Sequence, residues 1–266
     1  MKSKEQPIGI FDSGIGGLTV LKELGSLLPQ ENIIYLGDTA RVPYGIRSPE
    51  TVLRYSFECT EFLMKQEIKL LVVACNTVSA ISLQDISRMI SIPVIGVIEP
   101  GARAAVHATK NKKVGIIGTE ATIKSSAYSK AINAMAADVE VYGLACPLFV
   151  PLVEEGWTEG VIARMIVERY LTGIKSTGAD TLVLGCTHYP LLKELIQEVS
   201  GSVSLVDSAI ETALAVKHLL VDKGLETEAE IAGARKFFVT DTPEKFISVG
   251  ERFLRTSIDN IEKISL

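Results

Sequence analysis

The fold class this sequence predicts is α/β: two similar lobes, each a mostly parallel sheet flanked by helices, related by a pseudo-twofold axis. Three observations predict it. Short apolar runs alternate with helically spaced stretches along most of the 266 residues, the pattern of βα units that build parallel sheets. The pattern restarts after Glu99-Pro100-Gly101, where proline and glycine punctuate the chain. The two stretches also match. Ile8-Gly9-Ile10 parallels Val114-Gly115-Ile116, Cys75 lies 63 residues after Asp12, and Cys186 lies 68 after Gly118.

Each element follows in order. Residues 8–11 read as a buried strand, Asp12 to Gly17 as a glycine-rich turn, and 18–28 as a helix. A strand over 32–36 leads into the loop Asp38 to Gly45, and a helix over 49–65 carries proline near its start, where proline is tolerated. A strand over 69–74, a helix over 78–89 and a strand over 93–97 complete the first run. The second run has strands over 113–117, 139–142, 181–184 and 204–206. Its helices lie over 123–136, 161–171 and 191–199, the last beginning at Pro190. After Ser208 come a long helix, the apolar run 237–240 and an amphipathic helix over 243–254, a tail expected to return to the first lobe. The predicted lobes are 1–98 with 208–266, and 99–207, with the active site between them. Ligands of open parallel sheets sit beyond the strands' carboxyl ends, so two lobes facing each other there enclose one pocket.

Composition narrows the function. The chain is 47% hydrophobic and 22% charged, with a net charge of −5, so it lacks the basic footprint of a nucleic-acid binder. No apolar run approaches the roughly 20 residues of a membrane span. The start Met1-Lys2-Ser3-Lys4-Glu5 lacks the apolar core of a signal peptide. The expectation is a cytoplasmic protein whose four cysteines, with no C-x-x-C pair, are free thiols.

Two of those cysteines stand out. Val73-Ala74-Cys75-Asn76-Thr77 and Leu184-Gly185-Cys186-Thr187-His188-Tyr189-Pro190 each run from a strand through a cysteine into a helical pattern. A thiol at a helix N-terminus ionises more readily. Two opposed thiols suit one kind of reaction, in which one takes a proton from a carbon while the other delivers a proton to the opposite face, inverting a stereocentre without a cofactor. Cys59 and Cys146 read as core. A metal at Cys186-Thr187-His188 is not expected, because no ligand spacing supports it. Asp12-Ser13 reads either as a carboxylate and hydroxyl for a substrate's ammonium and anion or as a helix cap. Gly14-Ile15-Gly16-Gly17-Leu18-Thr19 departs from the dinucleotide fingerprint at Thr19. The Asp38 to Gly45 loop reads equally as function or as turn chemistry. His188, two residues past Cys186, reads either as a group that tunes the thiol or relays protons or as a structural histidine. His107 and His218 read as helix residues, and Glu154-Glu155 as a turn or a pocket wall.

These motifs resemble one family. Ile10 to Gly17, Tyr35 to Gly45, Ala74 to Thr77 and Leu184 to Pro190 are similar, in this order, to the cofactor-independent aspartate/glutamate racemases, and most closely to the bacterial glutamate racemases. The resemblance implies interconversion of L- and D-glutamate for peptidoglycan, no cofactor, the two-lobed fold and a homodimer. It implies that Cys75 takes the proton from the D isomer and Cys186 from the L isomer. Asp12 would meet the substrate amino group, with Asp38, Glu154 and His188 as a supporting acid–base shell. Ser13, Pro43, Tyr44 and Gly45 would contact the side-chain carboxylate. Asn76, Thr77 and Thr187 would contact the α-carboxylate and amine, with Thr119 and Thr122 as neighbours. Three other readings stay open: a racemase of another acidic amino acid such as aspartate, a non-catalytic binder of a small anion, and a nucleotide-binding regulator.

Overall fold

Ten strands form two sheets in the computed structural model, which describes residues 4–266. Residues 1–3, part of the polar start read against a signal peptide, lie outside the described residues. The first run is β1 (Ile8–Asp12), α1 (Leu18–Leu27), β2 (Ile33–Gly37), α2 (Pro49–Lys65), β3 (Leu70–Val73), α3 (Asn76–Ile81), α4 (Leu83–Met89) and β4 (Val94–Gly96). α5 (Ile98–Ala108) leads to β5 (Lys113–Gly118), α6 (Glu120–Ser125), α7 (Ala127–Met135), β6 (Glu140–Ala145), α8 (Phe149–Glu154) and α9 (Gly160–Lys175). β7 (Thr181–Gly185), α10 (Lys193–Ser200) and β8 (Ser204–Asp207) follow, then α11 (Ser208–Lys223), β9 (Arg235–Val239), α12 (Pro243–Leu254) and β10 (Ile261–Lys263).

The first sheet has the order β10-β9-β2-β1-β3-β4 and the second β6-β5-β7-β8. Every pairing is parallel. Four strands of the first sheet, β2-β1-β3-β4, thus repeat the order of the second, and the tail adds β9 and β10. β1, β2, β3 and β7 are buried along their whole length, as expected for strands covered by helices on both faces. In each sheet the order reverses beside the first strand, between β1 and β3 and between β5 and β7. Ligand crevices form at such reversals. Asp12 ends β1, Thr119 follows β5, and Cys75 and Cys186 lie just beyond β3 and β7.

Local chemistry explains where the elements start and stop. Ser48 caps α2 by accepting from Thr51 N at 3.4 Å, with Pro49 at the first helical position. Thr119 caps α6 through Thr122 N at 3.3 Å. Asp207 caps α11 through Ala209 N at 3.0 Å. Three expectations need correction. Glu99-Pro100-Gly101 is no break but the first turn of α5, where proline forgoes only an N–H that the helix leaves unpaired anyway. The single helices expected over 78–89 and 123–136 are each two, divided at Ser82 and at Ser126, whose φ of 56° is left-handed. α8 and β10 were not expected: one is a six-residue helix, the other a three-residue edge strand. Among the described residues no helix is long and apolar enough to cross a membrane.

Candidate active site

One narrow cleft of about 50 Å³ carries both Cys75 and Cys186 on its walls. Wider clefts of about 450 Å³ exist elsewhere and contain neither thiol, so size alone would point away from the chemistry. Each thiol arrives from a strand end. Cys75 occupies the N-cap of α3, where its carbonyl accepts from Ser79 N at 2.9 Å. Cys186 stands three residues before a 3₁₀ turn, Tyr189–Leu192, that precedes α10. The helix expected to start at Pro190 therefore begins as this tighter turn.

The first lobe supplies Ser13, Pro43, Tyr44, Gly45, Asn76 and Thr77 to the cleft, and the second supplies Thr119, Glu154, Thr187 and His188. Ser13 Oγ lies 3.5 Å from Cys75 Sγ. Thr77 Oγ1 and Thr119 Oγ1 meet across the lobes at 2.9 Å. Thr122 stands behind them, 2.9 Å from Thr119 and 3.4 Å from Thr77, and is not on the wall. The wall also includes Gly14, Val42 and Val150, none of them expected as site residues. Val150 was missed because α8 itself was missed.

Asp12 and Asp38 do not line the cleft. Asp12 is fully buried beneath it: Oδ2 accepts from Gly14 N at 3.0 Å, while Oδ1 is buried without a hydrogen-bond partner. Asp38 is fully buried too, accepting from Arg41 Nε at 2.5 Å, Thr240 Oγ1 at 2.8 Å and the Tyr44 hydroxyl. It therefore organises the loop that presents Pro43, Tyr44 and Gly45. It stands behind that loop, one layer back from the wall. The nearest motif to a dinucleotide fingerprint also has another explanation. A Cβ on Gly16 would come within 2.2 Å of Thr187 Oγ1 and 2.5 Å of His188 Nδ1. Glycine is required there because the turn presses against the other lobe.

Beside Cys186 sits a chain of polar contacts. Its Sγ is 3.9 Å from His188 Nδ1, and His188 Nε2 is 3.2 Å from Glu154 Oε1. Phe253 of α12 meets the imidazole edge-on at 5.6 Å, and Arg252 Nη2 donates to the Glu154 carbonyl at 2.6 Å. Neither had a signal in the sequence beyond an amphipathic helix. Glu155, the other candidate, is exposed.

Electrostatics separates the two sides. Burial, then the Asp12 carboxylate, pushes the Cys75 thiol up to about 12, against hydrogen bonding with Ser13 and with Val78 N. Cys75 is therefore a protonated thiol at neutral pH. Burial also raises Asp12, with His188 as the main opposing charge. For His188, burial opposes the charged form, but hydrogen bonding to Cys186 and Glu154 overrides it and lifts the imidazole to about 10. Glu154 is lowered by the same bond to His188. A group raised in the folded state stabilises fully below its unfolded pKa, here about 6.5, and loses that contribution as pH rises through its folded value. The stability difference between wild type and H188N, measured by denaturant titration, is thus expected to be largest below about pH 6.5 and to shrink towards about 10. A difference that grows across that window would contradict these contacts as the cause of the raised imidazole.

Cys59 and Cys146 are buried in the core. Among the described residues no group of three or more His, Cys, Asp or Glu side chains is arranged to hold a metal ion.

Comparison with known proteins adds an independent line. The profile of the Asp/Glu/Hydantoin racemase family matches residues 17–216. The glutamate racemase of Geobacter metallireducens is 56% identical over 260 residues, covering 97% of this chain and 96% of its own. The crystal structure of glutamate racemase from Francisella tularensis in complex with D-glutamate superposes with a TM-score of 0.94 at 41% identity, covering 98% of each chain. Picrophilus torridus aspartate racemase shares the fold at 19% identity, with a TM-score of 0.61, 82% of this chain and 94% of its own covered.

Proposed function

The chain belongs to the Asp/Glu/Hydantoin racemase family, and on that premise we propose that it interconverts L- and D-glutamate by two-thiol proton transfer, supplying D-glutamate for peptidoglycan. The observation that carries this reading is the pair of thiols, from matching strand ends of two sheets, on the walls of one cleft. Glutamate is favoured over aspartate because full-length relatives at 49–56% identity are glutamate racemases, whereas the likeness to the aspartate enzyme is one of fold. The cleft lies between a first lobe of residues 1–98 with 208–266 and a second of 99–207, a division supported by how the strands separate into two sheets.

The chemistry follows from the surroundings of each sulfur. Cys186 takes the α-proton of L-glutamate, leaving a planar carbanion. Cys75, a protonated thiol at rest, gives its proton to the opposite face, and D-glutamate leaves. The enzyme then holds the opposite protonation states, and a proton must pass back before the next turnover. His188, paired with Glu154, is positioned beside Cys186 for that passage. The D isomer uses the same steps in reverse. Asp12, buried beneath the cleft with its Oδ1 unpartnered, puts a negative charge under the place of the substrate ammonium. The unpartnered Asn76 Nδ2 and the Thr77, Thr119 and Thr187 hydroxyls are donors for carboxylate oxygens. A homodimer in the cytoplasm belongs to the same reading. The exposed apolar side chains Trp157, Val161, Ile162 and Met165 support a second copy, since such patches mark interaction surfaces.

Solvent exchange tests the proposal. In deuterium oxide, L-glutamate with purified protein and no additive should lose its optical rotation while each D-glutamate formed carries one α-deuterium. Racemisation without incorporation, or folded protein that leaves the α-hydrogen untouched, would overturn it.

A further inference from the structure

Tyr128 is buried on α7, in the second lobe, yet its hydroxyl donates to Asn76 Oδ1 of the first lobe at 2.7 Å. Asn76 directly follows Cys75 and lines the cleft, and its Nδ2 is buried with no partner. A carboxamide can lie either way round. A phenol O–H held against the oxygen fixes one orientation, oxygen to Tyr128 and N–H groups to the cleft. Burial raises the phenol's pKa, so the proton for that bond stays on the ring oxygen at any working pH.

The ring is held as firmly as the hydroxyl. A Cβ on Gly101 of α5 would lie 3.2 Å from Tyr128 Cε1 and 3.3 Å from its hydroxyl oxygen. A Cβ on Gly185, the residue before Cys186, would lie 3.1 Å from Cε2. One side chain thus bonds to the residue after the first thiol and leaves no room for a side chain at the residue before the second.

We propose that Tyr128 is a positioning residue for the substrate site: it sets the Asn76 amide so that Nδ2 receives the substrate α-carboxylate, and it braces the backbone that delivers Cys186. This rests on the glutamate reading above. Asn76 makes the contact, and Tyr128 acts through it.

The test uses Y128F, which keeps the ring and removes only the hydroxyl. An amide free to turn binds the carboxylate less well in ground and transition states alike, which raises KM and spares kcat. KM for both L- and D-glutamate should rise about tenfold, the equilibrium factor of one neutral hydrogen bond. In the double variant Y128F/N76A, KM should be no worse than in N76A alone, because the effect passes through the missing amide. G101A gives a second arm. Its Cβ pushes the ring while alanine improves helix propensity, so KM should rise although Tm holds or increases. A tyrosine that only stabilises the fold predicts a lower Tm with KM unmoved in Y128F, and an unmoved KM in G101A. Either result, or additive effects of Y128F and N76A, would overturn the proposal. Should Y128F fail to fold, the KM of G101A decides. Wild-type protein that turns over no glutamate would overturn the glutamate reading and this inference with it. Wild-type turnover with unmoved KM in the variants overturns this inference alone.

Discussion

C75A and C186A should each lose racemisation by on the order of 10²- to 10⁴-fold, the range that a positioned acid or base supplies. The two variants should nevertheless differ from each other. With Cys75 alone remaining, C186A can take the α-proton of D-glutamate but has no donor on the opposite face, so the carbanion is reprotonated from where it came. C186A should therefore wash solvent deuterium into D-glutamate without inverting it, and leave L-glutamate untouched. C75A should do the converse. Mass spectrometry of each isomer after incubation in deuterium oxide reads both outcomes. Both sulfurs are nearly buried and line the same cleft, and alanine in place of cysteine removes little volume, so both variants should fold. Either variant racemising within about tenfold of wild type, a margin far inside the contribution of such a group, would mean that its sulfur is not one of the two bases. Exchange of both isomers by a single variant would mean that one sulfur reaches both faces of the carbon, and the opposed arrangement would be wrong.

The parts of this site legible in the sequence are those where one short stretch carries both strand and chemistry. Cys75 and Cys186 follow apolar runs long enough to be read as strands, and the repeat places them at equivalent ends. Ser13, Asn76 and Thr187 were legible for the same reason, as immediate neighbours of those ends. What was not legible depends on contacts between residues far apart in the chain. Phe253 on His188 and Arg252 on the Glu154 carbonyl come from α12, which as a sequence is only an amphipathic helix. Tyr128 reads as one more apolar position of α7 until the lobes are set face to face. Asp38 fell between the two cases. Its loop was visible, but the contacts by which its buried carboxylate holds Arg41, Tyr44 and Thr240 were not. Glu99-Pro100-Gly101 misled because proline at the start of a helix and proline ending one are locally alike.

Asp12 carries the other large expected effect, and its sign differs between two measurements. D12N keeps the size of the side chain and an oxygen for Gly14 N, but exchanges a negative charge beneath the cleft for a neutral amide. The ammonium acidifies the α-carbon only while it stays charged and held, so kcat/KM for both isomers should fall by about 10²- to 10³-fold, as when one preorganised electrostatic group is removed from a reacting centre. The thiol beside it should respond in the opposite sense. The Asp12 charge is, after burial, the main influence holding Cys75 up at about 12. Without it the thiolate is easier to form, and Cys75 becomes a better nucleophile. In a C186A background, which isolates the first sulfur, the D12N variant should react faster with iodoacetamide at mildly alkaline pH than its Asp12 parent. Loss of activity with a faster-reacting thiol is the signature of a carboxylate that serves the substrate at the expense of the neighbouring thiolate. Loss of activity with a slower-reacting thiol would show instead that Asp12 helps to ionise Cys75, and the division of labour drawn here between the two sides of the cleft would have to be reversed.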